Sequence, residues 1–232
     1  MEQGRAALRA WAASDDRSAV DRTTLATAVR HTVADLGDAE QAAGLPAAAE
    51  EALGAPVTVL VNNAGIATTP ALAHPPATTD PLAWQRSWED YLRINTLGTA
   101  MVTHAMTSRL IELGLPGRVI TIGTRGVHRG EPDFPAYAAS KAALHSMDAS
   151  LAVALAPHDI AVATVSPGFV ETERVADRLN SPAGEAIRAD SPFGRVGRPE
   201  EVASAVLWFA SPEAVWASGA TLDLNGASHL RP

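Results

Sequence analysis

The chain has 232 residues, a formal net charge of −8, and 47% hydrophobic against 19% charged residues. The apolar fraction excludes a disordered chain, and the acidic balance speaks against a nucleic-acid partner, which needs a concentrated basic face. No apolar run approaches the roughly 20 residues of a membrane span, and the absence of cysteine excludes disulfides, thiolate metal sites and a cysteine nucleophile.

A cytoplasmic location suits such a chain. Glu2 and the lack of an apolar stretch in the first 14 residues argue against a secretory signal. Length and the even composition predict one domain over residues 1–232.

In chain order, Gly4–Ala13 reads as a helix, no strand is evident between Ser14 and Val29, Arg30–Asp35 reads as a strand and Ala39–Leu53 as a helix. Pro56–Val61 is a short apolar run that ends in Asn62-Asn63-Ala64-Gly65, a buried strand leaving into a turn. A Pro/Thr/Ala-rich loop, Ala67–Pro81, precedes one long helix over Leu82–Leu113, closed by Gly114 and Pro116. Arg118–Ile122 is a strand, Ala136–Ala156 a helix, and Ile160–Val165 a strand stopped by Ser166-Pro167-Gly168. Glu171–Ala189 is a polar helical flap. Pro199–Ala210 is a helix with proline at its first position and two glutamates in its first turn, and Ala220–Leu224 is a last strand. Strands alternating with helices predict an α/β fold: a three-layer, doubly wound parallel sheet, Rossmann-like.

Of the 18 basic residues, 17 are arginine and one is Lys141. Tyrosine is also scarce, and one of the two, Tyr137, stands four residues before that lysine. On a helix the pair shares a face, one turn apart. A phenol has a pKa near about 10, and a neighbouring ammonium favours the phenolate. The pair therefore makes sense as a proton-transfer couple. Thr124 follows a strand thirteen residues before Tyr137. Its hydroxyl can donate to a carbonyl oxygen that Tyr137 also reaches, since ligands in open parallel sheets bind at the carboxyl ends of strands.

From about residue 30 to 228 the sequence resembles the short-chain dehydrogenase/reductase family. The resemblance rests on Asn62-Asn63-Ala64-Gly65, Trp88 with Asn95, Tyr137-Ala-Ala-Ser-Lys141, Pro167-Gly168 with Thr172, Gly194-Arg195 through Ala203, and the closing Gly219–Gly226. It implies an oxidoreductase that moves a hydride between NAD or NADP and a carbonyl or secondary alcohol, of the 3-oxoacyl type or another small ketone. In that reading Tyr137 is the acid–base residue, and Lys141 lowers its pKa and holds the nicotinamide ribose. Thr124 polarises the oxygen, and Asn95 supports a proton relay through the helix it interrupts. Asp35 would touch the adenine ring, Asn62, Asn63, Ala64 and Gly65 would line the adenosine side, and Pro167, Gly168, Val170 and Thr172 would cover the nicotinamide amide. The resemblance also implies a homodimer or homotetramer built on the helices at Leu82–Leu113 and Ala136–Ala156.

Two departures from the family pattern stand out. Thr124 occupies the catalytic serine position; it keeps the hydroxyl but adds a methyl and restricts χ1. The N-terminal TGxxxGxG turn, which sets backbone amides against a pyrophosphate, is missing, with Gly4 as its last glycine. The expectation is an N-terminally shortened chain without the usual first strand. Either the reading frame is shortened or ordinary dinucleotide binding is lost, and weak affinity for NAD(P)H follows. The alternative function is a protein of the same fold without redox activity, a binding or regulatory subunit or a non-redox lyase.

The histidines show no metal-ligand spacing, so no metal is expected. His128 and Arg129 read as solvated loop residues, His145 as a packing or interface histidine, and at least one of Trp208 and Phe209 as core. The step from Asn62 to Asn95 exceeds the family's usual spacing, which makes the intervening loop a tolerated insertion or a neighbour of the active-site mouth.

Overall fold

The computed structural model describes residues 29–231. The helix expected at Gly4–Ala13, the glycine turn around it and the stretch 14–28 lie outside the described residues. Residues 29–38 form no regular element, so the strand expected at Arg30–Asp35 is not formed. Val33 is 97% exposed, and Asp35 folds the chain into a turn in which its Oδ1 accepts from Gly37 N at 2.8 Å. Local side-chain bonds of this kind compete with a strand ladder, and here they win.

Helix α1 covers Ala39–Leu53, the bounds the sequence predicts. Asp38 caps it by accepting from the amides of Glu40 and Gln41, and Gly54 closes it at φ 67°. Strand β1 is Val59–Asn62. Helix α2, Pro81–Tyr91, is capped by Asp80 and runs into a π-helical turn, Leu92–Gly98, before helix α3, Thr99–Leu113. The long helix expected here is therefore continuous but carries a wider turn in its middle. Strand β2 is Gly117–Ile122, a short helix α4 is Gly126–Arg129, and helix α5 is Pro135–Leu155. Strand β3, Ile160–Pro167, runs two residues further than its apolar pattern predicts. The flap resolves into α6, Glu173–Leu179, and α7, Ala183–Ala189, followed by α8, Pro199–Ala210, and β4, Thr221–Leu224.

The four described strands form one parallel sheet in the order β1-β2-β3-β4. Alternate residues of β2 and β3 face opposite layers. On one face Met106 and Leu110 of α3 and Ala152 and Leu155 of α5 pack on Val119, Ile160 and Val162. On the other, Phe209 of α8 and Ala214 pack on Ile120, Ala163 and Val165. Phe209 is core and Trp208 is half exposed. Strand β1, expected to be buried, leaves Val59 and Val61 exposed, because among the described residues it pairs with β2 alone.

The register sets the carboxyl ends of all four strands on one edge: Asn62 lies beside Thr121, Ile122 beside Val165, and Pro167 beside Leu224. No described helix is long and apolar enough to cross a membrane.

Candidate active site

Helix α5 crosses this edge with Tyr137 and Lys141 one turn apart. Lys141 is 7% exposed, and its Nζ donates to the carbonyl of Ile122 at 2.8 Å. That bond ties the helix to the last residue of β2, two positions before Thr124. Burial pushes the Lys141 ammonium down to about 8, while the carboxylate of Asp148 pulls it upward. Tyr137 is half-buried and stacks edge-on with Tyr91 of α2 at 5.8 Å between ring centroids.

Thr124 Oγ1 accepts from the amide of Gly126 at 3.1 Å. The accepting oxygen keeps its own hydrogen able to donate, which is the role asked of a hydroxyl beside a carbonyl oxygen.

Asn95 lies within the π-turn, 1% exposed. Its Oδ1 accepts from Ile66 N at 2.7 Å, and its Nδ2 donates to Ile66 O and to Ser140 Oγ, both at 3.1 Å. Ser140 Oγ in turn donates to the Tyr137 carbonyl at 2.8 Å. Asn95 therefore joins the loop after β1 to the turn of α5 that carries Tyr137. A β-carbon at Gly65 would lie 2.7 Å from Asn95 Oδ1, so only glycine lets that loop approach.

The residues expected on the cofactor side divide. Asn63, Ala64 and Gly65 are exposed at the end of β1. The Asn62 amide turns inward instead, donating to Thr103 Oγ1 at 2.9 Å and Thr121 Oγ1 at 3.5 Å. Asp35 is exposed in its turn, and that turn packs on the π-helix, where a β-carbon at Gly98 would strike the Leu36 backbone. Pro167 accepts from Arg125 N at 3.0 Å, and Gly168 N donates to Leu224 O at 3.1 Å, so the strand ends are laced together. Val170 bridges Gly197, and Thr172, exposed, immediately precedes α6.

Three features escaped the sequence reading. The first is His74, in the long loop before α2 and 1% exposed. Its Nε2 accepts from Ala136 N at 3.1 Å, in the first turn of α5, which fixes the proton on Nδ1, 2.8 Å from Leu72 O. Its ring is enclosed by Trp84, Tyr91 and Phe134. The insertion thus anchors the start of the helix that carries Tyr137.

The second is Asp190 after α7, which accepts from Arg125 at 3.1 Å and from Arg129 at 2.7 Å. This ion pair fastens the flap to the segment that follows Thr124, and the Phe169 ring lies under the guanidinium groups of Arg125 and Arg178. Arg129 is accordingly engaged rather than only solvated. The third is Asp148, buried on α5. His145 packs its ring against His128 at 5.8 Å, as a packing histidine. Among the described residues no cluster of acidic or histidine side chains could hold a metal.

A family model described as enoyl-(acyl carrier protein) reductase matches residues 2–229. The chain belongs to the short-chain dehydrogenase/reductase family. This dehydrogenase/reductase is 34% identical over 174 residues to 3-oxoacyl-(acyl-carrier-protein) reductase of Vibrio cholerae, covering 75% of the chain and 67% of that protein. It is 34% identical to galactitol 2-dehydrogenase of Cereibacter sphaeroides, covering 94% of the chain and 87% of that protein. Among solved structures it is similar to a gluconate 5-dehydrogenase of Burkholderia cenocepacia in complex with NADP and tartrate. That likeness has a TM-score of 0.74 at 26% identity, covering 86% of the chain and 76% of that structure.

Proposed function

We propose that this dehydrogenase/reductase is an NAD(P)-dependent oxidoreductase that interconverts a small carbonyl compound and its secondary alcohol, with Tyr137 as the proton donor and acceptor. The observation that carries the reading is Lys141, nearly buried, one turn from Tyr137 and pinned to Ile122 at the end of β2, which lies two residues before Thr124. A scaffold has no need of a buried ammonium beside a phenol at a strand end. NADP in the gluconate 5-dehydrogenase structure supports the cofactor class.

The described residues fit the nicotinamide side of such a cofactor. Lys141 uses one of three N–H donors on Ile122, which leaves two for ribose hydroxyls. Pro167, Gly168, Val170 and Thr172 would cover the amide, Asn63, Ala64 and Gly65 would line the adenosine side, and Asp35 would sit by the adenine. Asn62 acts by holding β1 to α3. When bound, the dinucleotide supplies the hydride in reduction and accepts it in oxidation.

During reduction the Thr124 hydroxyl and the Tyr137 hydroxyl both donate to the carbonyl oxygen, and Tyr137 gives up its proton to the alkoxide as it forms. The Lys141 ammonium stabilises the phenolate that remains. In oxidation the same phenolate takes the alcohol's proton. Asn95 holds this turn of α5 in place. Helices α2, α3 and α5 would form the interface of a homodimer or homotetramer.

The test is carbonyl reduction by Tyr137→Phe, which deletes only the phenolic oxygen, beside Thr124→Ser, which keeps the hydroxyl. The first should lose at least about a hundredfold in kcat, the usual worth of general acid–base catalysis, with unchanged far-ultraviolet dichroism. The second should stay active. Near-normal turnover by Tyr137→Phe would overturn the assignment.

A further inference from the structure

One ionisable group lies behind the Tyr137–Lys141 pair without a part in the chemistry above. Asp148 is on α5, seven residues after Lys141, so both project from the same face two turns apart. It is 3% exposed, a setting in which a carboxylate is costly without a partner. Beneath it lie Thr121 of β2 and Thr164 of β3, which are register neighbours and point to the same face of the sheet. Thr164 Oγ1 donates to Asp148 Oδ2 at 2.7 Å, and the Thr121 hydroxyl also acts on the carboxyl. Oδ1 meets no donor at hydrogen-bond geometry, so the hydroxyls alone do not satisfy the group.

The charge acting on Asp148 is that of Lys141. Lys141 binds the carbonyl of Ile122, the residue next to Thr121, so cation and carboxylate sit over adjacent residues of one strand. Between them on the helix stands His145, whose ring lies against Gly123 and His128. Burial, with His128, Arg231 and Lys141, holds that imidazole down to about 4, so it is neutral near pH 7 and does not serve as the counter-ion. Asp223 pulls His145 the other way, weakly.

We propose that Asp148 is a positioning residue for the acid–base pair: a buried carboxylate that holds Lys141 as an ammonium so that the ammonium can stabilise the Tyr137 phenolate. This rests on the Tyr–Lys reading given above. Asp148 is nearer to Lys141 along the helix than to Tyr137, so its charge favours the ammonium more than it opposes the phenolate. Removing that charge therefore makes Tyr137 harder to ionise.

The chain has two tyrosines, so Tyr91→Phe leaves Tyr137 as the sole phenol, and its ionisation can be followed by phenolate absorbance without any need for turnover. In that background Lys141→Met should raise the Tyr137 titration by about one unit or more, and Asp148→Asn, which keeps an acceptor for Thr164, by about half a unit. In the Lys141→Met background the Asp148→Asn shift should vanish or reverse. If Asp148→Asn does not fold, Thr164→Val, which removes the hydroxyl that favours the ionised carboxyl, should shift Tyr137 in the same direction by less. A Tyr137 titration that moves with Lys141→Met but not with the folded Asp148 or Thr164 variant overturns this proposal alone. One that moves with none of them overturns the Tyr–Lys reading as well. A shift that survives the loss of Lys141 also refutes the proposal, because Asp148 would then be acting by another route.

Discussion

Replacing His74 by alanine should loosen the start of the catalytic helix, and the structure sets the size of the effect. The imidazole accepts from Ala136 N at 3.1 Å and faces Leu72 O at 2.8 Å. The Ala136 amide belongs to the first turn of α5, where helix amides have no intrahelical acceptor. Leaving a buried polar group unpaired costs about 1–3 kcal/mol, a cost that falls on the buried Ala136 amide, while the part-buried Leu72 carbonyl loses less. The ring contacts with Trp84, Tyr91 and Phe134 add a packing loss. The expected loss is about 3–5 kcal/mol, large for a single substitution and a sizeable share of the usual 5–15 kcal/mol.

Urea unfolding of His74→Ala and His74→Phe measures it. Phenylalanine restores ring packing but not the two polar partners, so it should lose about 2 kcal/mol. A loss below about 1 kcal/mol in both variants would show that the loop does not anchor the helix. Reduced turnover should accompany the lost stability, since the anchored amide immediately precedes Tyr137.

Other perturbations test neighbouring features. Gly123→Ala would drive a β-carbon into the His145 ring and should cost about 1–3 kcal/mol, with partial rescue by His145→Ala in the same chain; equal losses with and without that second change would count against the contact. His145 also predicts a pH dependence. Its folded value, about 4, lies below the ordinary histidine value of 6.5, so the unfolded chain takes up the proton first. The associated stability is present above about pH 6.5 and is lost as pH falls toward 4. His145→Leu should flatten that acid decline in thermal unfolding, and an unchanged slope would refute the assignment.

The strands and long helices were legible because apolar runs stop at glycine and proline: Gly123 after β2, Pro167-Gly168 at the end of β3, and Pro199 at the start of α8. The Tyr137–Lys141 spacing was legible because a helix turns i and i+4 onto one face. Arg30–Asp35 misled because a single valine between polar residues resembles alternation, while the Asx turn at Asp35 is decided by local bonds. Periodicity does not show the π-turn; the resemblance alone marks the helix as interrupted at Asn95, which bonds Ile66 and Ser140 there. His74 was hidden because its partners lie on another element. Asp148 does carry a sequence signal: it is the only acid of α5, seven residues after the lone lysine and on the same helix face.

The π-turn also sets the relative phase of the helices on either side. One residue added to a helical turn rotates everything after it by about 100° about the axis. Helix α2 can therefore present Tyr91 to Tyr137 while α3, on a continuous axis, presents Met106 and Leu110 to the sheet. Deleting any one residue between Leu92 and Gly98 would restore an ordinary helix and bring the two helices into one phase. The surfaces of α2 and α3 would then compete for a single orientation, so a change of length that most helices absorb at their ends would here separate the tyrosine face from the core face.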